Sequence, residues 1–162
     1  MRCNYCFYAD ETSSREVPDF GMMPEAVMET VVRKALADAE DTCSFGFQGG
    51  EPSLRGLAFF RKTVAWQKQY NVNHVKVHNA FQTNGLLVDD EWATFFYDEG
   101  FLIGLSIDGT AAVHNRNRKD THGLGTLKRV LETAELLKKR KADFNVLTVV
   151  TNETVRKIDA IY

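Results

Sequence analysis

Apolar residues along this chain switch between two periods, and the switching itself outlines an architecture. From Glu25 onward Met28, Val31, Val32, Ala35, Leu36 and Ala39 recur at helical spacing, which predicts a helix with one buried face opening after Pro24. The short aromatic run from Cys43 to Phe47 predicts a strand that stops at the paired glycines of QGGEP. Leu57, Phe60 and Val64 predict a second helix, and VKVHNAFQTNG a strand closing on Asn84 and Gly85. A third helix carries Trp92, Phe95 and Phe96, with Asp89 or Asp90 as its cap and Gly100 as its stop. FLIGLSIDG is almost unbroken in apolar character until Ser106, Asp108 and Gly109, the pattern of a strand covered on both faces. Thr110 to Gly125 reads as a polar loop. Thr126 then caps a fourth helix with the stripe Leu127, Val130, Leu131, Ala134 and Leu137, and the run Lys138 to Lys141 complements its carboxyl end. FNVLTVV predicts one more strand, and a last helix starts at Glu153, capped by Thr151 or Asn152, and is still running at Tyr162.

Strands therefore alternate with helices, and each crossover is long enough for a right-handed βαβ unit. The expected fold class is α/β, a parallel sheet or barrel. No linker divides the chain, and 162 residues at 44% hydrophobic suffice for one domain with a real core. Polar and glycine-rich residues gather at the carboxyl ends of successive strands as QGGEP, QTNG and SIDG. Catalytic groups of such folds sit at that edge, so the three clusters describe one pocket.

Charge removes some alternatives. A net charge of -2 supplies no global basic field for nucleic acid or an anionic membrane, and no apolar stretch reaches spanning length. With no basic-then-apolar leader pattern either, the expected location is cytoplasmic and the expected partners include neither nucleic acid nor membrane. Three cysteines, two of them paired as C-x-x-C, suit a metal or redox site in a reducing compartment better than a disulfide framework.

Cys3 and Cys6 supply soft thiolate ligands that reach one metal centre from a tight loop. The other readings are a coincidental pair and a thioredoxin-like dithiol, and the latter requires a preceding strand, which is not expected here. In QGGEP, Gly49 and Gly50 let backbone approach a ligand while Glu51 accepts hydrogen bonds from an ammonium group; an ordinary strand-to-helix turn is the alternative. QTNG and SIDG contain common turn dipeptides, although Ser106 offers a hydroxyl to the same edge. HNRNR places arginines near it, and a guanidinium fork suits a carboxylate; Arg116 reads as solvated. The histidines at 74, 78, 114 and 122 lack metal-ligand spacing and read as structural or surface residues. Cys43 reads as a small buried hydrophobe.

Taken jointly, RCNYCFY, QGGEP, QTNG and SIDGT...HNRNR...GLGT resemble the radical S-adenosylmethionine superfamily, and within it the anaerobic sulfatase-maturating enzymes of the SPASM type and their peptide-modifying relatives. The resemblance implies a partial parallel (β/α) barrel, with residues 1–162 forming an incomplete core domain that lacks the first strand, the last unit and a C-terminal auxiliary-cluster domain. The family motif is C-x-x-x-C-x-x-C, whose second and third cysteines match Cys3 and Cys6. Its first would fall two places before Met1, so the expectation is a fragment that starts at an internal methionine.

The implied cofactors are a 4Fe-4S cluster and S-adenosyl-L-methionine. Cys3 and Cys6 would hold iron, Tyr5 would lie beside cluster and adenine, and Gly49, Gly50 and Glu51 would meet the methionyl amino group. Ser106 and Arg118 match further cofactor contacts, Arg118 being suited to the methionyl carboxylate. Thr110 stands where the family usually has proline. The implied activity is reductive cleavage of S-adenosylmethionine to modify a peptide or protein, with a cysteine or serine of a sulfatase converted to formylglycine. A flavodoxin or ferredoxin would donate the electron. Another peptide-modifying maturase and an inactive metal-binding fragment are the alternatives, and inactivity is the expectation for the isolated chain. No residue here matches the family's substrate-side acid or base.

Overall fold

The computed structural model describes residues 1–17, 19–152 and 154–161. The chain opens with a two-residue strand, β1 (Arg2–Cys3), and a helix, α1 (Phe7–Ser14). Then follow α2 (Glu25–Ala37), β2 (Thr42–Phe47), a 3-10 turn (Pro52–Arg55), α3 (Leu57–Tyr70), β3 (Lys76–Thr83), α4 (Asp90–Asp98) and β4 (Phe101–Ser106). The second half contains α5 (Ala111–Asn117), β5 (Arg118–Lys119), α6 (Leu127–Arg140), β6 (Phe144–Leu147), a 3-10 turn (Val155–Lys157) and α7 (Ile158–Ile161).

β2, β3, β4 and β6 form one parallel sheet in that order, with Phe47 opposite Phe81, Phe81 opposite Ile103 and Leu105 opposite Val146. This is the α/β architecture the periodicity predicts. Because side chains alternate along each strand, one sheet face presents Phe45, Phe81, Phe101, Ile103 and Leu105 to the helices. Met28, Val32 and Leu36 from α2, Phe59, Phe60 and Val64 from α3, Trp92, Phe95 and Phe96 from α4, and Leu127, Val130 and Leu137 from α6 complete that core. Its centre is aromatic: Phe60 meets Phe81 edge-on at 5.0 Å between centroids, and Phe96 lies 5.1 Å from Phe81.

The opposite face corrects one expectation. β4 is covered on one face: Leu102 is 47% exposed, and with Gly46, Ala80, Gly104 and Asn145 it lines a hollow of about 240 Å³. Apolar continuity in β4 reflects helix packing on one side and a partly open concave surface on the other.

The region Thr110 to Gly125 is not a plain loop either, since it contains α5 and β5, both too short to leave a periodic signature. α1 also escapes periodicity, because FYADETSS has no apolar stripe. The strand expected over FNVLTVV ends at Leu147. Thr126 precedes α6 as expected, but its side chain does not cap; Asn115 Oδ1 accepts from the Leu127 N–H instead, at 2.9 Å. Cys43 is half-buried rather than buried. Asp89 does cap α4, accepting from the Trp92 N–H at 3.0 Å, and Lys138, Lys139 and Arg140 do fill the last turn of α6. The expected helix start at Glu153 and its continuation to Tyr162 lie outside the described residues.

Candidate functional site

The cysteine loop is attached to the sheet edge by a small antiparallel pair. β1 runs against β5 with Cys3 directly opposite Arg118, so the first cysteine of the pair stands within a two-residue strand. Asn4 completes the clamp at the carboxyl end of α5. Its N–H donates to the Asn117 carbonyl at 3.1 Å and its Nδ2 to the Arg116 carbonyl at 3.2 Å. The turn then closes through the Cys6 N–H on the Cys3 carbonyl at 3.2 Å, leaving both thiols partly exposed.

Beneath this loop lies a buried polar centre. Asp108, two residues past β4, is fully buried and Arg118 is 6% exposed. Arg118 Nη2 donates to Asp108 Oδ1 at 3.1 Å, and the Val149 N–H donates to the same oxygen at 3.2 Å. The Tyr5 hydroxyl donates to Oδ2. Arg118 Nε lies 3.0 Å from Oδ2, close enough for charge pairing, but its N–H is not aligned on that oxygen and has no hydrogen-bond acceptor. The guanidinium stands 5.5 Å from the Tyr5 ring centroid, with Nη1 turned to the Cys3 sulfur at 3.8 Å. Burial, followed by the bond to Asp108, raises the Tyr5 pKa, so the phenol stays protonated. Burial likewise raises the Cys3 thiol, opposed by the neighbouring Arg118 charge.

His114 supports this centre from below. Its Nδ1 accepts the Asp108 N–H at 3.2 Å, which places the proton on Nε2, facing Thr126 Oγ1 at 3.1 Å. Thr126 in turn donates to the Arg118 carbonyl at 2.8 Å. Burial first, then the Arg118 charge, lowers the His114 pKa to about 4 and keeps the ring neutral.

QGGEP occupies the neighbouring strand end. Gly49 and Gly50 have φ of 101° and 53°, values that favour glycine, and a Cβ on Gly49 would sit 3.5 Å from the Tyr8 hydroxyl of α1. Glu51 ties β2 to β3: its Oε1 accepts from the Ser53 N–H, the Ser53 hydroxyl and the Thr83 hydroxyl, and its Oε2 from the Asn84 N–H at 2.8 Å. Oε2 retains acceptor capacity. Ser106 accepts from Gln82 Nε2 at 3.0 Å.

Of the residues singled out in the sequence, Cys3, Tyr5 and Arg118 thus come into mutual contact. Gly49 meets the helix that follows the cysteines, and Glu51 and Ser106 join the same edge through Thr83 and Gln82. Asp108, Asn4, Tyr8 and His114 are additions. Asp108 carried a visible signal, a carboxylate two residues beyond Ser106 at a strand end, which its Asp-Gly turn dipeptide obscured. Among the described residues no three His, Cys, Asp or Glu side chains gather to hold a metal. The two thiols fit part of a soft metal site, while the Arg118 Nη1 edge, which Asp108 leaves uncovered, and the open Glu51 Oε2 fit a zwitterionic ligand.

The parallel sheet with helices on one face thus carries a two-cysteine loop clamped over its carboxyl edge and glycines beside a carboxylate. All of residues 1–162 match the radical SAM superfamily model, and the chain belongs to that superfamily. It is 46% identical over 162 residues to a cysteine-type anaerobic sulfatase-maturating enzyme of Clostridium perfringens, covering 100% of this chain and 44% of that protein. Against a serine-type anaerobic sulfatase-maturating enzyme of Klebsiella aerogenes the identity is 37% over 166 residues, covering 100% and 40%. A solved structure of native anSMEcpe with bound AdoMet and Kp18Cys peptide superposes with a TM-score of 0.93 at 45% identity, covering 100% of this chain and 43% of that one. The chain spans less than half the length of these two curated relatives.

Proposed function

We propose that these 162 residues are the cofactor-binding core of a radical S-adenosylmethionine enzyme that matures sulfatases, oxidising a cysteine or serine of the target peptide to formylglycine. The observation that carries the reading is the contact group of Cys3, Tyr5, Asp108 and Arg118 at the edge that also bears Gly49, Gly50 and Glu51. Higher identity to cysteine-type than to serine-type relatives supports a cysteine target. A bound peptide in a solved relative supports a peptide substrate.

Cys3 and Cys6 would ligate a 4Fe-4S cluster, and Gly49, Gly50, Glu51, Ser106, Arg118 and Tyr5 would hold S-adenosylmethionine. Bound there, the pair supplies one-electron cleavage of the sulfonium, with the electron from a flavodoxin- or ferredoxin-like donor. The chain's own residues orient and shield. Glu51 Oε2 would accept from the ligand ammonium and Arg118 would meet its carboxylate, while the positive φ of Gly49 and Gly50 would let backbone approach it closely. Burial of Asp108 and His114 keeps water from the underside of the site.

The test is anaerobic iron and sulfide loading of the protein that contains these residues, followed by dithionite reduction with S-adenosylmethionine. Iron-dependent release of 5'-deoxyadenosine, abolished in Cys3→Ala, is the expected result. Loaded protein that releases none overturns the reading.

A further inference from the structure

We propose that Asp108 is a positioning residue, which holds the Arg118 guanidinium side-on so that its Nη1 edge, beside Cys3, is what meets the carboxylate of an amino-acid cofactor. This rests on the functional reading above and assigns Asp108 a role exerted through Arg118. An arginine ordinarily offers a carboxylate a two-pronged fork. Here Asp108 already occupies the Nε and Nη2 side, at 3.0 and 3.1 Å. What remains for a ligand is the Nη1 edge, which lies 3.8 Å from the Cys3 sulfur.

Everything around Asp108 fixes its orientation. The Tyr5 hydroxyl and the Val149 N–H occupy one carboxylate oxygen each, arriving from the cysteine loop and from the segment after β6. The Asp108 backbone is held independently, because its N–H donates to His114 Nδ1. Asp108 thus joins the cysteine loop, the end of β4 and the exit of β6 at one buried carboxylate, and Arg118 can take only the direction that these three elements leave. In Asp108→Asn the amide oxygen can replace Oδ1 toward Nη2 and Val149. The NH2 then stands where Oδ2 stood, donor against donor with Arg118 Nε, and the guanidinium loses the partner that sets its direction.

The experiment compares two probes on anaerobically iron-loaded protein by equilibrium dialysis: S-adenosylmethionine and its decarboxylated analogue. They share adenosine, sulfonium and ammonium groups and differ in the carboxylate alone. Wild-type protein is expected to favour S-adenosylmethionine by about tenfold or more, the scale of one charge-assisted pair. In Asp108→Asn, at equal iron content, the preference falls to near unity. A purely structural role weakens both probes together, so an Asp108→Asn protein that keeps the wild-type ratio overturns the proposal. Should that variant fail to load iron, Tyr5→Phe decides: it removes one hydrogen bond to Asp108 and keeps the ion pair. The ratio should fall by about threefold, half a charge-assisted pair on a logarithmic scale, and an unchanged ratio again overturns the proposal. Wild-type protein that binds both probes equally removes the role of Arg118 and Asp108 but leaves the functional reading standing, whereas loaded wild type that binds neither removes the functional reading itself.

Discussion

A neutral imidazole enclosed in protein makes folding depend on pH, and His114 is such a group. It is fully buried, accepts the Asp108 N–H and faces the Thr126 hydroxyl, so a second ring proton would have no acceptor at Nδ1. Its pKa is lowered from 6.5 to about 4, chiefly by burial. Between those values the unfolded chain binds the proton that the folded chain refuses, so stability rises with pH across the window and falls on acidification from 6.5 towards 4. The loss amounts to about 3 kcal/mol at the acid end. Urea unfolding at neutral pH and near pH 4.5 should show wild type losing more stability than His114→Gln, whose amide keeps the bond to Thr126 but does not titrate. Equal losses would mean that the carboxylates alone account for the acid sensitivity. In the sequence His114 reads as structural or surface through the absence of ligand spacing, and the structure buries it; its bond to Asp108 depends on tertiary contact and has no local signature. Tyr5, Glu51 and Arg118 were singled out through the motifs RCNYCFY, QGGEP and HNRNR, and the structure brings them to one edge of the sheet. Asp108 was visible as a residue but not as a centre, because its partners lie 103, 10 and 41 positions away along the chain.

At the scale of elements, legibility follows length and periodicity. α2, α3, α4 and α6 are nine residues or longer and bury a stripe, so apolar spacing predicts them. α5 and β5 have seven and two residues, and their stability comes from what they hold: His114, Asn117 and Arg118 on the buried side, and β1 across the strand pair. Their neighbour α6 shows how such a segment repays the fold. Thr126 stands at the N-cap position, but its hydroxyl is committed to the Arg118 carbonyl and to His114, so the capping bond comes from Asn115, twelve residues earlier. Asn115→Ala should therefore cost about 1 kcal/mol, as a lost N-cap does, although the residue lies outside the helix it caps. Thr126→Val should instead disturb the site, measurable as faster alkylation of Cys3, because it frees the carbonyl of the residue paired with that cysteine. A denaturation midpoint unmoved in Asn115→Ala would show that water replaces the cap.

For the whole molecule, the same sheet that gathers the site leaves two flanks without a strand partner among the described residues: the outer edges of β2 and β6. The β6 edge is the more adhesive of the two. Val146 is 51% exposed and Leu147 48%, and the chain continues past them into Val149 and Val150, at 39% and 63%. An unpaired parallel edge with β-branched apolar side chains is a template for another chain, and natural edges are commonly blunted by lysine, proline or a covering element. None of those stands within β6 itself, whose sequence is FNVL. Self-association through this edge should therefore grow with concentration in the 162-residue chain. Val146→Lys places a charge on an exposed position of the edge strand, opposite Leu105 in register, and leaves the backbone pairing to β4 intact. Sedimentation velocity across a concentration series should show the weight-average mass of wild type rising and that of Val146→Lys staying near the monomer. If both rise alike, association runs through another surface; the unpaired edge of β2, flanked by exposed Met22, Met23 and Val31, is then the one to charge next.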